Sequence, residues 1–230
     1  MRRTGTETYT EYRELLETDP AESAALLDAL SITVTNFFRN PRMWRELRSL
    51  LRSIGDGGRE LSIWSAPCAD GREPYSLAMM AIDDGQIAHR SLSILGTDIN
   101  PDAIERARLG RYETTRTADI ADELSPLSAI EPHLERSGDT FRVKRPARRL
   151  VSFDRHDLIR EDPPGTFDLI LCRNLLIYIA EEYKEPVFDT LFEALEPGGY
   201  LVIGMTETLP RAYRTRFETV DQRTRIYRVR

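Results

Sequence analysis

Chemistry is most legible between Leu61 and Asp98. An apolar run, Leu61-Ser62-Ile63-Trp64-Ser65-Ala66, breaks into the turn Pro67-Cys68-Ala69-Asp70-Gly71-Arg72-Glu73-Pro74-Tyr75-Ser76. A helix-compatible stretch follows, and then a second apolar run, Leu92 to Thr97, which stops at Asp98. Strand, tight turn, helix, strand and acidic tip form the unit with which α/β folds hold an adenosine-containing cofactor. The turn brings backbone and a helix N-terminus close to the ligand, and the carboxylate waits at the next strand's end for a ribose hydroxyl pair. An acid that ends an apolar strand has few structural reasons to stand there. Its structural alternative is an N-cap for the helix announced by Asn100-Pro101.

The same turn narrows the cofactor. Gly71 is its only glycine, so the G-x-G-x-x-G nest for a pyrophosphate is missing. S-adenosylmethionine, which carries no phosphate, fits better than NAD or FAD: its ribose suits Asp98 and its amino-acid end suits groups near the turn.

The elements that must position these residues alternate from Leu61 onward. Helices are expected at Pro74 onward, Ala103 to Leu109 and Glu181 to Leu195, and strands at Leu150 to Phe153, Phe167 to Cys172 and Tyr200 to Gly204. Arg216 to Val220 and Arg225 to Val229 read as a closing antiparallel hairpin. Such alternation predicts a largely parallel sheet covered by helices. Before it, residues 1 to 30 look helical around Asp19-Pro20, and Asn36 to Pro41 opens a helix carrying Trp44, Leu47, Leu50 and Leu51 that ends at Gly55-Asp56-Gly57-Gly58. Between Gly110 and Arg149 the pattern lapses, apart from the alternating Thr140-Phe141-Arg142-Val143-Lys144, which predicts a small inserted lobe.

Composition sets outer bounds. A chain of 230 residues accommodates one α/β core with a small appendage. A net charge of −6, from 32 basic and 38 acidic residues, argues against a general nucleic-acid binder. No apolar run reaches the ~18 residues of a membrane span, and the polar start after Met1-Arg2-Arg3 argues against export. Cys68 and Cys172 have neither metal-ligand spacing nor the numbers of a disulfide framework, so both are read as packing and the expected location is cytoplasmic.

Five ordered motifs resemble one family, the chemotaxis receptor glutamate methyltransferases known as CheR. Ile32-Thr33-Val34-Thr35-Asn36-Phe37-Phe38-Arg39 is similar to its "N-x-T-x-F-F-R" segment, and Gly71-Arg72-Glu73-Pro74-Tyr75-Ser76 to its "G-E-E-P-Y-S" loop. Gly96-Thr97-Asp98-Ile99 resembles its ribose-binding strand end. Cys172-Arg173-Asn174-Leu175-Leu176-Ile177-Tyr178 matches "C-R-N-x-L-I-Y", and Leu195-Glu196-Pro197-Gly198-Gly199-Tyr200-Leu201 matches "L-x-P-G-G-x-L".

That resemblance implies an α/β, Rossmann-like class I methyltransferase: a mostly parallel seven-stranded sheet with an antiparallel last strand, a short helical N-terminal region and a small inserted β lobe. Residues 1–35 are then a partial N-terminal helical domain and linker, and 36–230 the methyltransferase domain, with the lobe at about 110–149. The implied reaction is methyl transfer from S-adenosylmethionine, leaving S-adenosylhomocysteine, to glutamate side chains of chemoreceptor cytoplasmic helices. No metal is implied. A carboxylate acceptor is already ionised near neutral pH, so alignment and exclusion of water replace a strong general base. His89, His133 and His156 are accordingly read as surface or structural.

By the resemblance Arg39 and Tyr178 stand beside the methyl and the acceptor, Arg39 orienting charge and Tyr178 shaping the pocket. The cofactor set is Thr33, Thr35, Arg39, Gly71, Glu73, Asp98, Asp157, Leu158, Arg173 and Asn174. Glu73 is matched to the α-amino group, Asp157 and Leu158 to adenine, and Asn174 to the cofactor at its strand end, while Arg173 could instead pair with a neighbouring acid. Thr33 replaces a familiar asparagine, Pro67 and Asp70 replace smaller or neutral residues, and Arg72 replaces a glutamate, all of which bear on how firmly the cofactor is held. The Ser137-Gly138-Asp139 turn is short beside family members that grip a receptor's C-terminal pentapeptide, so docking on the receptor's helical domain without that tether is expected; a monomer is expected too, with no nucleic acid partner and no membrane insertion. Two other readings share the fold: a methyltransferase of another substrate, and a cofactor-binding scaffold with weak or no turnover.

Overall fold

Side chains of the central strands alternate between two apolar layers, as the two-residue period of a strand requires. Ile63, Leu169, Leu171 and Val202 are buried in one layer, while Trp64, Ile170, Cys172, Leu201 and Ile203 are buried in the other. In the computed structural model, which describes residues 4–6, 8–23, 26, 35–54, 60–85, 87, 91–114 and 119–230, the chain divides into two compact units, Met1–Val34 and Thr35–Arg230.

In the first unit, helix α1 (Tyr9–Thr18) is closed at its start by a reciprocal capping box between Thr8 and Glu11. Tyr12 Oη donates to Glu22 at 2.8 Å.

The second unit is built on a seven-stranded sheet ordered β6-β2-β1-β7-β8-β10-β9. Its strands are β1 (Leu61–Ser65), β2 (Leu92–Asp98), β6 (Val151–Arg155), β7 (Phe167–Cys172), β8 (Leu195–Ile203), β9 (Phe217–Asp221) and β10 (Ile226–Val229). The pairs β1/β2, β1/β7, β2/β6 and β7/β8 are parallel, and β10 runs antiparallel to both β8 and β9. The last strand therefore inserts between its hairpin partner and the parallel block. Strand order reverses at β1, so the crevice outside the carboxyl ends of β1 and β7 is the natural ligand position of such a sheet.

Helix α2 (Pro41–Ser53) buries Met43, Trp44, Leu47, Leu50 and Leu51, one stripe at helical spacing. Helix α3 (Arg72–Asp83) follows the β1 turn and α4 (Pro101–Leu109) follows β2. Asn100 caps α4, its Oδ1 accepting from the N–H groups of Asp102 at 2.9 Å and Ala103 at 3.3 Å, and Pro101 occupies a position where no N–H is needed.

The lapse at 110–149 is a three-stranded antiparallel sheet, β3 (Arg111–Glu113), β5 (Thr140–Val143) and β4 (Leu134–Ser137), with the one-turn helices α5 (Ile120–Glu123) and α6 (Arg145–Arg148). Polar periodicity hid two of its strands and both short helices. Its buried Tyr112, Phe141 and Val143 join the core layer that holds Phe37 and Tyr75. Helix α7 (Glu181–Glu193) ends before Leu195, which instead begins β8 and pairs with Phe167. Thr33, the turn around 55–59, His89 and the expected helical positions Ala25, Leu27 and Leu30 lie outside the described residues.

Candidate active site

Asp98 closes β2 and is 9% exposed. Its Oδ2 accepts the Ala69 N–H at 2.9 Å and its Oδ1 accepts the Asn100 N–H at 3.0 Å. Burial raises its pKa above the ordinary aspartate value, and the amide donors of Asn100 and Ala69 oppose that rise. Asn100, not Asp98, caps the next helix. A carboxylate has about four acceptor positions, so the two bonds to backbone use only part of its capacity. It faces a cavity of about 90 Å³ whose walls include Pro67, Ile99, Asp157, Leu158 and Leu175. Asp157 Oδ1 accepts the Ile159 N–H at 3.0 Å, which shapes the turn presenting Leu158. His156 also stands in this wall, buried, its Nε2 2.9 Å from the Asp162 carbonyl.

A second cluster joins the ends of β1 and β7 to the segment before α2. Arg173 Nη1 donates to Glu73 Oε2 at 2.7 Å, and Nη2 to the Arg39 carbonyl at 3.0 Å and to Asn40 Oδ1 at 2.8 Å. Glu73 Oε1 accepts from Ser65 Oγ at 2.9 Å. Arg173 thus pairs with an acid, the alternative its position allowed, and through it Glu73, Arg39 and Arg173 come together. The backbone turns sharply here: Phe38 and Asn40 are left-handed, with φ of 50° and 64°, and Phe38 N–H donates to Ser76 Oγ at 3.0 Å. Such conformations persist when surrounding contacts hold them. Tyr178 lies beyond β7 with 63% of its surface exposed, and Arg39 is half-buried.

Among the described residues, the departures at Pro67, Asp70 and Arg72 sit in defined local surroundings. Arg72 sits over the rings of Phe37 and Tyr112, 5.6 and 5.1 Å from their centroids, and its Nη1 donates to the Thr35 carbonyl at 3.0 Å. It lies 3.3 Å from Asp70 and 3.6 Å from Glu123, so it pins the Thr35–Phe37 strip to the β1 turn. Burial pushes the Asp70 pKa up to about 6 in spite of Arg72. At Pro67 the missing N–H costs the turn nothing, because Ala66 and Cys68 supply flanking bonds to the Leu171 and Thr97 carbonyls. Gly71, at φ 87°, has no room for a Cβ, which would meet Ala107 Cβ at 2.8 Å and Phe153 Cζ at 2.9 Å. Cys68 and Cys172 are buried free thiols whose pKa values burial raises.

Ser65 and Asn40 were not singled out from the sequence as site-shaping residues. Asn40 meets Arg173 across 133 positions, which leaves no periodic signal, whereas Ser65 meets Glu73 only 8 residues on and its place at the end of an apolar strand offered one.

A doubly wound sheet with an acid at the tip of its second strand defines the class of α/β proteins that bind a nucleotide-type cofactor beyond the carboxyl edge. Within that class, the family profile of the CheR methyltransferase, SAM binding domain, matches residues 33–226, and the chain belongs to this family. The chemotaxis protein methyltransferase of Listeria monocytogenes is 34% identical over 204 residues, 88% of this chain and 75% of that one. Chemotaxis protein methyltransferase 1 of Vibrio cholerae is 34% identical over 191 residues, 80% and 68% of the two chains. A probable biofilm formation methyltransferase, WspC of Pseudomonas aeruginosa, is 34% identical over 206 residues, 86% of this chain and 47% of its own. This protein is an S-adenosylmethionine-dependent methyltransferase of the CheR type.

Proposed function

We propose that this chain transfers the S-adenosylmethionine methyl group to glutamate side chains of a chemoreceptor cytoplasmic domain, forming glutamate methyl esters. The observation that carries the reading is Asp98, a buried strand-end carboxylate with acceptor capacity beyond its two backbone bonds, beside a cavity with aliphatic walls. That donor and acceptor set fits adenosine: Asp98 takes the ribose hydroxyls, and Leu158 with Asp157 holds the adenine. The cavity of about 90 Å³ is smaller than the ~300–1,000 Å³ of complete small-molecule pockets. It takes one end of the cofactor, and the amino-acid end runs along the open sheet edge toward Gly71, Glu73 and Asn174.

When bound, the sulfonium supplies an electrophilic methyl carbon, and the acceptor needs no proton removed. The chain's own contribution is alignment and desolvation, with proximity worth up to roughly 7–11 kcal/mol in the best intramolecular cases. Arg39 orients the incoming carboxylate, and its backbone is held by Arg173. Tyr178, exposed in the free chain, meets the acceptor helix and shuts out water. Thr35 borders the methyl end of the cofactor, and Thr33 belongs to the same motif. Docking rests on the receptor's helical domain alone, without a pentapeptide tether.

The test is transfer of radiolabelled methyl from S-adenosylmethionine to a purified receptor cytoplasmic domain. Base-labile label on the receptor is expected. Base-stable label supports a different transferase, and cofactor binding without transfer supports a scaffold; either result overturns the proposal.

A further inference from the structure

Glu207 stands outside the site described so far, yet its side chain organises the segment that carries two proposed site residues. It is 3% exposed. From the turn after β8 its carboxylate reaches across to the segment that follows β7, where Oε1 accepts the Leu176 N–H at 2.8 Å and Oε2 accepts the Asn174 N–H at 3.1 Å. Oε2 also accepts the Gly204 N–H at 2.5 Å, and the Glu207 N–H returns to the Gly204 carbonyl at 2.9 Å. Among the described residues no cation pairs with this carboxylate.

Two further observations indicate a conformation held on purpose. Asn174 is left-handed at φ 59°, a region that costs an L-residue without local support. Gly204 has no space for a side chain, since a Cβ would stand 2.5 Å from Glu207 Oε2 and 3.0 Å from Asn174 N. Glycine is what lets the carboxylate reach both strand ends. A buried, unpaired carboxylate is costly, and here its compensation comes from amide N–H groups whose positions it in turn defines.

We propose that Glu207 is a positioning residue for methyl transfer: its carboxylate sets the left-handed turn at Asn174 and the course of Leu175–Tyr178, so that Asn174 reaches the cofactor and Tyr178 the acceptor. The inference rests on the function proposed above. Arg173, immediately before the turn, is anchored independently by Glu73, so the segment is fixed from both sides by buried acids.

Glu207→Gln keeps the size but presents an NH2 group, which cannot accept, to one set of amide donors. The expected result is a folded protein whose affinity for S-adenosylhomocysteine, measured by calorimetry, falls about tenfold to a hundredfold, with kcat reduced as well. Combined with Asn174→Ala, the double variant should lose no more affinity than the worse single variant, because both act through one turn. A lower Tm with unchanged affinity and kcat, assayed well below the unfolding transition, would show a purely structural clamp and overturn the inference. Should Glu207→Gln fail to fold, Glu207→Asp, one methylene short of its amides, is read by the same criteria; failure of both to fold also overturns it. Wild-type protein that binds no S-adenosylhomocysteine would instead overturn the proposed function, and this role with it.

Discussion

Replacing Asp98 by asparagine tests the cofactor orientation at its centre. The side chain keeps its size, yet one acceptor oxygen becomes a donor that must face either a backbone N–H or a ribose hydroxyl. The carboxylate already satisfies the Ala69 and Asn100 amides at 2.9 and 3.0 Å, so the amide oxygen in the variant is drawn to one of these and leaves the ribose poorly held. A hydrogen bond to a charged group contributes about 1.5–3 kcal/mol net. Losing two to the ribose weakens binding by about 3–6 kcal/mol, or about 10²–10⁴-fold after allowing for non-additivity. Calorimetry with S-adenosylhomocysteine measures the loss, and circular dichroism verifies the fold. A pH series adds an independent arm. Burial raises the Asp98 pKa, so wild-type affinity should decline on acidification at a higher pH than an ordinary aspartate would give, while the asparagine variant shows no such decline. A folded Asp98→Asn protein with wild-type affinity would refute the orientation.

Two further outcomes follow from packing and burial. Asp70 has a folded pKa of about 6 against an ordinary 3.8, so the folded state binds its proton more tightly than the unfolded state. Its contribution is greatest below the unfolded pKa and is lost as pH rises through the folded value, a difference of about 3 kcal/mol at most. Asp70→Asn should therefore raise Tm at pH ~8 and lose that advantage at pH ~4; a variant less stable than wild type at the higher pH contradicts the burial argument. Gly96→Ala places a Cβ 2.8 Å from Phe153 Cδ1 and 2.9 Å from Pro74 Cγ, an overpacking expected to cost about 1–3 kcal/mol in chemical denaturation. Adding Phe153→Leu should recover part of that loss, and no recovery would locate the strain elsewhere.

Residues 61–98 were read nearly as they fold because strand, turn and helix there obey local rules. The apolar run to Ala66 becomes β1, which ends at Ser65, Gly71 takes the left-handed turn that opens α3, and β2 stops at Asp98. Phe167–Cys172 was equally plain, an apolar strand broken only by Asp168 and buried on both faces. The inserted sheet was only partly legible. Of its three strands β5 alternates over four residues, β3 alternates over too few residues to be read, and β4 owes its pairing to its neighbour rather than to its own pattern.

By itself the sequence determined the class of the chain and the candidacy of Asp98, because chemical type and short-range spacing are properties of neighbours along the chain; Glu73, Arg173 and Asn174 became candidates through the resemblance of their motifs to the CheR family. Only the tertiary structure decided who meets whom. Arg173 binds Glu73 across 100 positions and Asn40 across 133, and Asn174 is held by Glu207 from 33 residues away. Those separations carry no periodic signal. They arise because parallel strands bring every carboxyl end to one edge, where buried charges must find partners in whatever segment the crossovers deliver.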